Sequence, residues 1–181
     1  MIRIRPLMVA VTVAAALVVA RPALAGPPLL CFPFEIGAAR SLPMGTGGWR
    51  TTDPHYDMSH LVADTVALLG SDTPVLVRME TLRRATIYAA ASPSVATALL
   101  TALQTRAAAR TADAPLAVFD FGYLVETYKQ AKFMFSAPIP AIDSIDGYQL
   151  VLKAHALQRD EAMTRAAKLI QDGLPKVGSE K

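Results

Sequence analysis

Four side chains able to bind a metal fall within eight residues: Asp53, His55, Asp57 and His60. Zinc accepts imidazole and carboxylate donors together in a tetrahedron, which makes this cluster the candidate metal centre. The spacing does not force the donors to converge. A helix starting at Asp57 puts His60 in its first turn and leaves His55 ahead of it, and the zinc-protease pattern of two histidines four apart around a glutamate is absent. The competing reading makes Asp53 and Asp57 helix-start residues whose carboxylates accept backbone amides and complement the helix dipole. Cys31, His55 or His60, and Asp53 supply the residue types of a nucleophile, a base and an orienting acid, again without a spacing that assembles them. The sequence contains no Gly-x-Ser-x-Gly elbow, glycine-rich phosphate loop, paired zinc cysteines, haem-attachment motif or calcium loop.

A second constellation is charged. Arg78, Glu80, Arg83 and Arg84 sit among Val75, Leu76, Val77, Met79, Leu82 and Ile87, a helical run with little room for a solvated face. They are therefore expected to line an inner groove, opposite Asp120 or Glu126 of a later helix, with Trp49, Tyr88 and Tyr123 as further groove residues. A guanidinium pair placed there receives a carboxylate from a peptide or small acid through forked, charge-assisted hydrogen bonds. The alternative is a salt-bridge network that ties two helices together.

The elements that position these residues are read from punctuation. Residues 26–54 hold five of the ten glycines and five of the thirteen prolines, so regular structure is not expected there. Leu29, Leu30, Phe32, Phe34, Ile36 and Trp49 are too apolar to be left in water, which predicts an irregular arm (26–56) docked on the domain. Helix signals follow: Asp57 or Ser59 opens a helix over 60–69 ended by Gly70, Thr73-Pro74 one reaching 90, and Ser92-Pro93 one reaching 110. Asp113 or Ala114 before Pro115 opens a fourth helix to 135. Asp143 or Asp146 caps a fifth through 157, and a sixth spans 160–171, closed by Gly173 and Pro175. No useful strand alternation appears, so the expected class is all-α, about six helices in antiparallel hairpins (57–175) followed by a polar tail (176–181). Gly122, inside the fourth helix, marks a close backbone contact.

Of the 181 residues, 52% are apolar and 18% charged, a balance that excludes a disordered polyelectrolyte. Residues 1–25 carry Arg3 and Arg5, an apolar run, and Ala23-Leu24-Ala25, the order of parts in a secretory signal peptide cleaved between Ala25 and Gly26. Removing it takes three arginines and no acid from a total of 18 basic and 15 acidic residues, leaving fifteen of each. A neutral mature chain gives no reason to expect nucleic acid as a partner or stable membrane insertion after cleavage. The expected compartment is periplasmic or secreted. A lone cysteine, Cys31, forms no internal disulfide in that compartment, so apolar burial must hold the fold.

Two resemblances add to this. The pair from Gly147-Tyr148 through Ala162 and Ala166 to Pro175 resembles a tetratricopeptide-type hairpin. Leu29-Leu30-Cys31-Phe32-Pro33-Phe34 with Gly37, together with the run from Thr73-Pro74 to Arg83-Arg84, resembles an uncharacterised family of exported bacterial all-helical proteins, which implies an address and no mechanism. The expected function is a non-catalytic scaffold or binding protein, without a cofactor, that engages a peptide or protein partner of the envelope through its inter-helix groove. The rival expectation is a zinc-dependent or hydrolytic enzyme built on Asp53, His55, Asp57 and His60.

Overall fold

The computed structural model describes residues 28–109, 111–136, 139 and 142–173; the expected leader and polar tail lie outside them. The described residues are all-α. A single 3-10 turn, Met58–His60, leads into α1 (Leu61–Leu68), followed by α2 (Val75–Ala89), α3 (Pro93–Ala108), α4 (Ala114–Phe135), α5 (Gly147–Leu157) and α6 (Glu161–Gly173). Among the described residues no helix is long and apolar enough to cross a membrane.

The caps follow the sequence in part. Asp57 accepts the Ser59 amide, Asp146 the Gln149 amide, and Asp160 the amides of Ala162 and Met163, each satisfying a donor that has no partner within its helix. Thr73 and Ser92, the hydroxyl residues before the prolines that open α2 and α3, make no such bond. The Thr73 hydroxyl turns back to the Leu68 carbonyl, because the free carbonyls ending α1 compete for it.

Residues 116–128 of α4 are all buried. The helix packs against α2, α3, α5 and α6, and several of its polar side chains find partners on those neighbours, while the buried Tyr123 hydroxyl has none among the described residues. Thr127 meets Thr86 of α2 at 2.8 Å, and the Tyr128 hydroxyl donates to the Ala96 carbonyl of α3. Against α5 the approach is backbone to backbone. A Cβ on Gly122 would lie 2.7 Å from the Leu150 Cβ and 2.8 Å from the Gly147 carbonyl, and one on Gly147 would lie 2.5 Å from the Gly122 carbonyl. Glycine at both positions is a condition of this contact.

Residues 28–56 run irregularly over this bundle and belong to its core. Leu29, Leu30, Phe34 and Leu42 are buried in the same apolar cluster as Leu82, Tyr123 and Val151. Each large side chain so placed contributes about 1.5–3 kcal/mol. Phe32 departs from the expectation of a wholly docked arm and is 38% exposed. The Leu29 amide donates to Gln130 of α4, and the Arg165 guanidinium of α6 sits 5.3 Å above the Phe34 ring, so the arm is held from two further helices.

Candidate functional site

The charged residues of α2 separate into two buried centres. At one end Arg78, fully buried, donates from Nη1 to Asp120 Oδ2 of α4 at 2.6 Å, from Nε to the Thr73 carbonyl and from Nη2 to the Gly70 carbonyl. Arg106 of α3 donates to the Leu69 carbonyl and approaches Asp120 at 3.8 Å and Asp113 at 3.7 Å. Two guanidiniums thus donate to the carbonyls that follow α1, where the helix dipole favours positive charge. Burial, opposed by Arg78 and Arg106, pushes the Asp120 carboxyl up to about 7. Asp120 Oδ1 and Arg106 Nη1 have no hydrogen-bond partner among the described residues.

The other centre is Glu80, which is fully buried and accepts four hydrogen bonds. Arg83 grips it with both arms of its fork, Nε to Oε2 at 2.7 Å and Nη2 to Oε1 at 2.8 Å; Arg84 Nε adds 2.7 Å to Oε1, and the Phe34 amide 3.0 Å to Oε2. Burial alone would raise this carboxyl, but the Arg83 fork, the Phe34 amide and Arg84 overcome it and hold the group below the usual glutamate range. The outer nitrogens of the same arginines reach the arm: Arg83 Nη1 donates to the carbonyls of Leu30 and Trp49, and Arg84 Nη1 to that of Leu42. Tyr88 continues the line one turn on, donating to the Pro43 carbonyl and accepting the Asp53 amide.

The expected groove residues therefore do not line one open groove. Arg78 is locked to α4, and Tyr123 lies in the core stacked on Phe119 with ring centroids 5.6 Å apart. Glu80, Arg83, Arg84 and Tyr88 hold the chain's own arm, while half-buried Trp49 offers them its carbonyl and packs 6.2 Å from the Phe135 ring. Salt bridging between helices, the alternative reading, describes Arg78–Asp120; for Arg83 and Arg84 the tie is to backbone carbonyls of the arm. Burying this charge is tolerable because each carboxylate has a guanidinium, and Glu80 a donor for every lone pair, whereas Asp120 accepts on Oδ2 alone.

The cluster around residue 55 is local. Asp53 Oδ1 accepts the His55 amide and Asp57 Oδ1 the Ser59 amide; the Ser59 side chain, and then its amide, hold the exposed Asp57 below the usual aspartate range, and His55 and His60 are exposed. Among the described residues, no group of three or more histidine, cysteine, aspartate or glutamate side chains is placed to hold a metal ion. Cys31 lies elsewhere, its thiol 3.7 Å from the Met134 thioether and pushed up by burial, so the structure does not bring together the thiol, imidazole and carboxylate of the nucleophilic reading.

One open feature escaped the sequence reading. Where residues 50–58 pass the C-terminal half of α2, a cleft of about 480 Å³ opens. Met58, Ile87, Ala90, Ala91 and Phe135 give it an apolar floor; Arg50, Thr52, Asp53, Tyr56 and Tyr88 form its polar side. The Tyr56 hydroxyl donates to Asp64 at 2.7 Å, and burial followed by this bond raises its pKa well beyond the usual range. Both tyrosines are thus engaged structurally, and the cleft offers shape and apolar surface rather than a poised proton donor. The signal available in the sequence was Tyr56 and Met58, apolar letters beside the Asp53-Pro54 turn. Comparison of the chain with protein-family models, with curated proteins and with solved structures finds no match.

Proposed function

We propose that this chain is an exported, non-catalytic helical scaffold that engages a peptide or protein partner of the envelope, and that the partner meets the open cleft beside the arm instead of the inner groove. The observation that carries this reading is the arm itself. An extended segment already lies along α2 with its carbonyls of Leu30, Leu42 and Trp49 held by Arg83 and Arg84, which is how such a groove would hold a foreign strand. A partner competing for that place would have to expose the buried Glu80 centre, at a cost of several kcal/mol. The cleft needs no such opening. Its apolar floor suits one large side chain of an extended partner segment, with Arg50 at the rim favouring an acidic neighbour.

The test is a photo-cross-linking residue at position 50 in the exporting cell, compared with one at Thr101 on the outer face of α3. The reading expects one recurrent adduct from position 50, absent from position 101 and lost when Ala91→Arg fills the cleft from the α2 side while every residue of the arm is unchanged. Equal adducts from both positions, or adducts indifferent to Ala91→Arg, would leave a purely structural role as the better account.

A further inference from the structure

Beneath the loop 44–49 lies a smaller pocket of about 260 Å³ that shares no lining residue with the cleft. Its floor is the Glu80 centre. Two guanidiniums share one carboxylate there, and no other ionisable residue lines the pocket, so one positive charge is left over. Arg83 is spent, with every nitrogen bonded and only 2% of its side chain exposed. Arg84 is not. Its side chain is 22% exposed, Nε and Nη1 are committed to Glu80 and Leu42, and Nη2 donates to nothing among the described residues.

The loop keeps that nitrogen open. It closes through hydrogen bonds from the Gly45 amide to the Thr51 carbonyl and from the Thr51 amide to the Gly48 carbonyl. A Cβ at Gly45 or Gly47 would lie within 2.9 Å of Thr51 atoms, and Gly48 has φ +116°, so side chains are resisted at three of the loop's six positions. Nothing large can hang from them over the guanidinium. The amides of Thr46, Gly48 and Trp49, three residues that line the pocket, have no partner among the described residues, which leaves backbone donors free in a cationic pocket's wall. Unpaired loop amides beside a half-free guanidinium are a recurrent way to bind an oxyanion.

From this geometry we infer that the pocket under 44–49 binds a carboxylate, with Arg84 Nη2 and loop amides as its donors. One surplus positive charge suits a singly charged carboxylate better than a doubly charged phosphate. The volume leaves room for the carboxylate and the one residue or small acid that bears it, and not for a longer segment. Because Glu80 already neutralises half of the local positive charge and the site is open to water, binding is weak, in the millimolar range on the affinity scale.

The experiment follows backbone amide and arginine Nε signals of the full mature chain by heteronuclear NMR during titration with acetate, N-acetylglycine and N-acetylglycinamide. Saturable shifts confined to residues 44–49 and Arg84 are expected with the acids and not with the amide. Equal response to acetate and N-acetylglycine identifies a free small acid as sufficient; response to N-acetylglycine alone identifies a chain terminus. Thr46→Glu, at an exposed position that leaves the arm contacts intact, places a competing carboxylate at the mouth and is expected to weaken binding roughly tenfold. Absence of saturable shifts with either acid, an equal response to the amide, or affinity unchanged in Thr46→Glu would overturn the assignment.

Discussion

Replacing Glu80 by glutamine tests the physical core of this structure with a change of almost no volume. The carboxylate accepts two donors on each oxygen: Arg83 Nη2 and Arg84 Nε on Oε1, Arg83 Nε and the Phe34 amide on Oε2. An amide can present its oxygen to only one of these pairs and must turn its own N–H groups toward the other. Whichever way the new side-chain amide is oriented, two donors lose their acceptor and the buried Arg83 loses its counter-charge. Breaking a buried pair from one side typically costs 3–5 kcal/mol, a large share of the roughly 5–15 kcal/mol that holds a domain together. The loss should concentrate in the arm, because the Leu30, Leu42 and Trp49 carbonyls depend on the same two guanidiniums. In urea, the Glu80→Gln midpoint is expected to fall accordingly, with faster tryptic cleavage after the exposed Arg40 and Arg50. Lys132→Ala, which removes the exposed pair with Asp143, is the control and should cost no more than about 1 kcal/mol. A Glu80→Gln chain that unfolds at the wild-type midpoint and resists trypsin equally would refute the argument that this centre clamps the arm.

Two further predictions concern α4. With the Asp120 carboxyl raised to about 7 in the folded chain against an ordinary 3.8, the folded state binds a proton that the unfolded state has released. This group therefore makes stability fall as pH rises from about 4 to about 7 and adds no slope above that window; Asp120→Asn should flatten this part of a pH series of urea midpoints. Glu80 acts in the opposite sense, its contribution being present above the ordinary glutamate range and lost as pH falls through its lowered value. Gly122→Ala should destabilise by about 1–3 kcal/mol in thermal or urea unfolding, although alanine is the better helix former, because its methyl group would press on Leu150 and Gly147.

The helices were legible because their ends carry residue types with one physical meaning. Pro93 and Pro115 lie in the first turns of α3 and α4, where a missing N–H removes no helical bond, and Asp146 and Asp160 accept the orphan amides of α5 and α6. Gly122 was legible for a similar reason, since glycine inside a long helix needs a packing cause. The candidate site was not. Arg83 and Arg84 choose backbone carbonyls of Leu30, Leu42 and Trp49, and a carbonyl looks the same at every position of a sequence. Helical spacing also misleads on α2, which is covered on almost every side and so has no solvated face to reveal its orientation. The cleft, formed where an irregular segment passes the end of a helix, is set by tertiary packing that periodicity does not encode.

Hydrogen exchange on the chain tests most directly whether the arm is part of the folded core. The Leu29, Phe34 and Asp53 amides donate to Gln130, Glu80 and Tyr88, three anchors spread along a segment without regular structure. If the arm is clamped as described, these amides exchange as slowly as those in the middle of α2, and all three become fast together in Glu80→Gln. Exchange at unprotected rates across 29–53 in the wild-type chain, with α2 and α4 still protected, would contradict the account.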